Sequence, residues 1–107
     1  MHLTSLLQDK RLTVLLSGEI DHHTAREIMA AITAKIDVYL PSYCELDLGG
    51  VTFMDSSGIA IIIHTLRAMN ELEGKLRLTH VPPQPMKVIL ASGIQKLVAV
   101  SQERSPA

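Results

Sequence analysis

With 107 residues and a mass of 11.7 kDa, the chain has room for one hydrophobic core and not for two ordinary domains. Apolar residues make up 47% and charged ones 20%, a globular balance, while aromatics are only 3% and tryptophan is absent, so the core has to be aliphatic. Ten Lys and Arg against eleven Asp and Glu leave a formal charge of -1 with no basic cluster, which argues against a nucleic-acid or anionic-membrane surface.

Cys44 is the single cysteine, so no internal disulfide and no CxxC metal pair is available, and a reducing cytoplasm is the expected compartment. No apolar run approaches the roughly 18 to 20 residues that span a bilayer. The opening MHLTSLLQDK lacks the basic start and long apolar stretch of a signal peptide, so the chain is expected to be soluble and unprocessed.

Residues 11 to 17, RLTVLLS, place Leu12, Val14 and Leu16 on one side and Arg11, Thr13, Leu15 and Ser17 on the other, the alternation of a strand. His2 to Leu7 reads as a short partner strand, joined through a turn at Gln8, Asp9 and Lys10. Gly18 to His23 reads as a polar loop, and Thr24 with Glu27 three residues later has the form of a capping box that opens a helix. Ala25, Ile28, Met29, Ile32, Ile36 and Leu40 then form an apolar stripe, which Pro41 ends.

CELDL at residues 44 to 48 and KLRLTHV at residues 75 to 81 alternate again and predict two strands with one wet face each. Between them, Ile59, Ile62, Ile63, Leu66 and Met69 follow helical spacing, although the β-branched run also has strand character. Length, the downstream composition and the stop at Gly74 favour a helix. A short last helix starts near Pro85, carries Met86, Ile89 and Leu90 inward and ends at Gly93; Leu97, Val98 and Val100 supply material for an edge strand.

This order predicts a single α/β domain over residues 1 to 107 with a frayed tail at 102 to 107. Its sheet is mixed, and its helices lie mainly on one face, because strands covered on both faces read as continuous apolar runs instead of alternating.

Phe53, Met54, Asp55, Ser56, Ser57 and Gly58 fall where the CELDL strand has ended and the Ile-rich helix begins, the working edge of α/β sheets. Ser56 and Ser57 are suited to capping that helix, and Gly58 lets another backbone approach, so a DSSG stretch carries a structural and a functional reading side by side. The loop Gly18 to Thr24 is expected to leave the same edge from an adjacent strand, bringing Asp21, His22 and His23 beside Ser56. A phosphoryl group on Ser56 would add about -1.5 to -2 charges next to Asp55, partly accommodated by the helix N-terminus. Ile61, opposite the Ile59 and Ile63 stripe, is read as an exposed apolar contact.

The segments GEIDHHTA at residues 18 to 25 and FMDSSGIA at residues 53 to 60 resemble the signature of the bacterial anti-sigma factor antagonists of the STAS domain family, those of the sporulation sigma-F pathway in particular. The resemblance covers nearly the whole chain in element order. It implies that Ser56 is phosphorylated by a partner that is both serine kinase and anti-sigma factor. Ser57, Gly58, Asp55 and the loop of Asp21, His22, His23 and Thr24 would belong to the docking surface. It further implies that the unphosphorylated chain binds this partner and frees the sigma factor, that a serine phosphatase resets the switch, and that ATP and magnesium belong to the kinase, leaving this chain without a cofactor of its own. The short C-terminus and the Pro82, Pro83, Gln84, Pro85 stretch depart from the family pattern.

An enzyme reading would pair Ser56 or Ser57 with His22 or His23, but the GxSxG elbow and the GxxxxGK phosphate loop are both absent. His2, His22, His23, His64 and His80 show no metal-ligand spacing. The remaining alternative is a different role for a STAS domain, as scaffold of a stress-signalling assembly or accessory subunit of a lipid or anion transporter.

Overall fold

In the computed structural model, which describes residues 3–102, the elements run β1 (Leu3–Gln8), β2 (Arg11–Ile20), α1 (His22–Tyr39), β3 (Tyr43–Met54), α2 (Ser57–Glu71), β4 (Lys75–Val81), α3 (Pro83–Ser92) and β5 (Ala99–Gln102), with a short 3-10 turn at Ile94–Lys96. One five-stranded sheet has the order β1-β2-β3-β4-β5. β1 is antiparallel to β2 across the turn at Asp9 and Lys10, and every later pair is parallel. The mixed α/β sheet expected from the sequence is therefore present. His2 and residues 103–107 lie outside the described residues, and Gln102 closes β5.

Alternation along the strands decides which face is covered. Leu12, Val14 and Leu16 of β2, Cys44, Leu46 and Leu48 of β3, and Leu76 and Leu78 of β4 are buried, and they pack with Ala25, Ile28, Ile32 and Ile36 of α1, Ile61, Ile62 and Met69 of α2, and Ile89 of α3. Each such aliphatic side chain contributes about 1.5–3 kcal/mol of burial. Their intervening neighbours Thr13, Leu15, Glu45 and Asp47 are only half-buried and Arg77 is exposed, so the opposite face stays largely open and the helices sit mainly on one side.

Several local readings change. β3 does not stop after CELDL: it continues to Met54 because β2 continues beside it, through pairs running from Ser17 with Gly50 to Ile20 with Met54. Two register shifts absorb extra residues on β3, and a Cβ at Gly50 would stand 2.9 Å from the Ser17 Cβ, so glycine permits that close approach. Gly18 and Glu19 thus belong to a strand and not to a loop. Leu40 is exposed at the end of α1, where it takes a left-handed cap conformation at φ 46° ahead of Pro41. Leu90 and Leu97 are exposed as well, since α3 turns Pro85 and Ile89 inward and Leu97 precedes β5.

The rotation of α2 also differs from the expected stripe. Gly58, Ile61, Ile62, Thr65 and Met69 face the core, while Ile59, Ile63 and Leu66 are only partly buried. A run that is apolar nearly all round does not select its own face. What selects it is the fit of Gly58 against Met54, where an added Cβ would fall 2.3 Å from the Met54 Cγ and Sδ. Thr65 tolerates burial because its hydroxyl donates to the Ile61 carbonyl at 2.8 Å.

Candidate functional site

β2 and β3 are parallel neighbours that end in register, Ile20 opposite Met54, and each leads within two residues into a helix. The amide of Asp55 donates to the Ile20 carbonyl at 3.1 Å, so the starts of α1 and α2 are tied at one sheet edge. This is how two segments more than thirty residues apart in sequence come to share a surface.

At the first start, Asp21 is the N-cap. Its Oδ1 accepts from the amides of His23 at 2.9 Å and Thr24 at 3.0 Å, and the Thr24 hydroxyl accepts from the Asp21 amide at 3.1 Å. The capping box expected between Thr24 and Glu27 thus lies three residues earlier, between Asp21 and Thr24, because an acidic side chain just outside the helix reaches both free amides. Those bonds, led by the Thr24 amide, hold the Asp21 carboxyl below its ordinary 3.8. His22 and His23 form the exposed first turn with ring centroids 4.0 Å apart.

At the second start, the cap is supplied by Asp55 and not by the serines. Its Oδ1 accepts from the Ser57 amide at 2.8 Å and its carbonyl accepts from Gly58 at 3.0 Å, while the Ser56 carbonyl accepts from Ile59 at 3.0 Å. Ser56 occupies the N-cap position in a helical conformation and its side chain makes no capping bond. The expectation that Ser56 and Ser57 cap α2 is therefore corrected, since a carboxylate one residue earlier takes the same donors.

Ser56 is exposed, Asp55 and Ser57 are half-buried, and Gly58 is buried. Gly58 thus serves the packing against Met54, not the approach of a foreign backbone. Ile61 is 1% exposed and is no surface contact, because the fit at Gly58 turns it into the core. The edge unites Asp21, His22, His23, Thr24, Asp55, Ser56 and Ser57, and leaves out Ile61.

Three features of this edge escape sequence reading. Gln84, at the start of α3, binds the Met54 backbone twice, accepting from its amide and donating to its carbonyl, both at 2.8 Å. Ser56 and Ile59 also line a shallow groove whose other wall is Lys87, Val88, Ala91 and Ser92 of α3. Phe53, the sole phenylalanine of the chain, is 44% exposed one residue before Met54. Its position inside an apolar motif was the available signal.

Glu45, Asp47 and His80 have ligand-type atoms within 4.8 Å of one another on the open sheet face. These groups are engaged within the protein: His80 Nδ1 with Asp47 at 3.0 Å, Thr79 donating to Glu45 at 2.8 Å, and the Gly49 amide donating to Asp47 at 2.8 Å. Among the described residues no helix is long and apolar enough to cross a membrane.

Comparison with known proteins agrees with this geometry. The chain is 33% identical over 81 residues to an anti-sigma F factor antagonist of Lysinibacillus sphaericus, covering 76% of this chain and 69% of that one. It is 30% identical over 89 residues to an anti-sigma F factor antagonist of Paenibacillus polymyxa, covering 83% and 76%. Its fold superimposes on the anti-sigma factor antagonist SpoIIAA in its unphosphorylated form with a TM-score of 0.81, over 94% of this chain and 89% of that one, at 24% identity. The STAS domain model matches residues 5–107, and the chain belongs to the STAS domain family.

Proposed function

We propose that this chain is an anti-sigma factor antagonist that works by partner switching. Unphosphorylated, it binds an anti-sigma factor that is also a serine kinase, and a sigma factor is released. Phosphorylation of Ser56 ends that binding, and a serine phosphatase restores it. The chain is a regulator and not an enzyme: it supplies the substrate hydroxyl, while ATP and magnesium are used by the kinase. It contacts no nucleic acid directly and acts in the cytoplasm.

The observation that carries this reading is the exposed Ser56 hydroxyl, free of any capping role, at the edge where the starts of α1 and α2 meet. A kinase can take that hydroxyl without unravelling α2, whose cap is Asp55. A phosphoryl group there adds about -1.5 to -2 charges beside Asp55 and on the edge that carries Asp21, which repels a partner built to accept a neutral serine. The two anti-sigma F factor antagonists that the chain resembles in sequence support the same role.

Titration calorimetry against the anti-sigma serine kinase tests this. The unmodified chain and Ser56→Ala are expected to bind, and the chain carrying phosphoserine at position 56 is expected not to. Equal affinity of the phosphorylated and unmodified forms would overturn the switch and return the chain to a scaffold or transporter-associated role.

A further inference from the structure

We infer that Lys87 of α3 is the counter-ion of the phosphoryl group on Ser56, and that this ion pair closes the groove between α2 and α3. The inference rests on the phospho-switch proposed above and specifies what the modified serine does.

A phosphoryl group at a helix start ordinarily finds free backbone amides. Here the first three amides of α2 are taken: Ser57 by the Asp55 carboxylate, Gly58 by the Asp55 carbonyl and Ile59 by the Ser56 carbonyl. The helix start therefore accommodates the new group less than the sequence suggests, and the nearest fixed charge, Asp55, repels it. A cation has to come from another element.

Among the residues that share the groove with Ser56, only Lys87 is charged. Lys87 is exposed, and the described residues contain a single ion pair, His80 with Asp47, so the Lys87 ammonium is uncommitted among them. The remaining lining, Ile59, Val88, Ala91 and Ser92, is uncharged and mostly apolar. An ion pair beside an apolar surface is less screened than one in open water. It would also lay the phosphoryl group over the groove and cover it.

The test is the second ionisation of the phosphoserine, followed by 31P NMR. Phosphoserine is placed at position 56 during translation, so the result does not depend on whether any kinase recognises Ser56. The groups that bear on the phosphoryl group are Asp55 beside it, Asp21, His22 and His23 on the adjoining start of α1, and Lys87 on α3; comparing proteins that differ only at residue 87 cancels the rest.

Lys87→Gln is expected to raise that pKa by roughly 0.3 to 0.7 pH unit, Lys87→Arg to restore it, and molar salt to erase the difference. Lys75→Gln, at the far end of β4, is the control for net charge and is expected to leave the pKa unmoved. An unchanged pKa in Lys87→Gln, or an equal rise in Lys75→Gln, would overturn the pairing while leaving the phospho-switch itself to be judged by partner binding.

Discussion

The side-chain amide of Gln84 completes the hydrogen bonding of Met54, taking its N–H and giving to its C=O at 2.8 Å each. β4 pairs with β3 only as far as Asp47 with Thr79, so on that side the last turn of β3 has no strand beside it. One amide from α3 takes the place of the missing neighbour and fixes the strand end immediately before Asp55 and Ser56.

Gln84→Ala leaves both Met54 backbone groups without their partner in a half-buried setting and is expected to cost about 1–3 kcal/mol. Chemical denaturation measures the loss, and amide exchange should quicken at Met54 and Asp55 before the rest of β3. Unchanged stability and exchange would mean that water replaces the amide fully.

Gly58→Ala drives a methyl group into Met54, at 2.3 Å from both Cγ and Sδ, too deep in the side chain for a simple movement of its tip. Overpacking of this kind costs typically 1–3 kcal/mol. The expected phenotype is a lower melting temperature, and in the double variant with Met54→Ala a loss smaller than the sum of the two single losses.

Asp21 gives the fold an acid-sensitive point. Its carboxyl is held below 3.8 by the amide of Thr24 first, then by His23, so the charged form is favoured by folding. Its contribution is present above 3.8 and is lost as the pH falls below that value through the lowered folded-state pKa. Asp21→Asn keeps an acceptor but no charge. The parent should therefore melt higher than this variant at neutral pH, with the gap narrowing below 3.8; a gap independent of pH would contradict the cap.

Cys44 is fully buried in β3, and burial, followed by the charge of Glu45, pushes its thiol from 9.0 up to about 12. The native protein should therefore resist iodoacetamide at mildly alkaline pH, with on the order of a thousandfold less thiolate than the unfolded chain. Because the folded-state pKa is raised, the thiol's stabilising contribution is complete below 9.0 and declines as the pH rises above it. Mass spectrometry after alkylation with and without denaturant reads the protection directly.

Sequence reading succeeds where one residue's environment follows from its own neighbours. Leu12, Val14 and Leu16 alternate cleanly, Ala25, Ile28, Ile32 and Ile36 leave no choice of helix face, and both appear in the core as expected. The meeting of the Asp21 and Asp55 segments followed from parallel strands ending at one edge. It fails where a distant contact decides. The run Ile59 to Ile63 is apolar on nearly every side, so only Gly58 against Met54 could show that Ile61 turns inward. Asp, Ser and Ser are all good caps, and the choice of Asp55 depends on the backbone path leaving β3. The bonds of Gln84 and the groove wall of Lys87 come from α3, thirty residues further along the chain, and no local pattern announces them.

The most direct measurement of the central claim is incubation with the cognate anti-sigma kinase, ATP and magnesium, followed by intact-mass and peptide mass spectrometry. One phosphoryl group is expected, on Ser56, and none on Ser56→Ala, which should fold with a loss within about 0.5 kcal/mol because the Ser56 hydroxyl caps nothing. No modification by a kinase of proven activity, or modification at another residue, would contradict it.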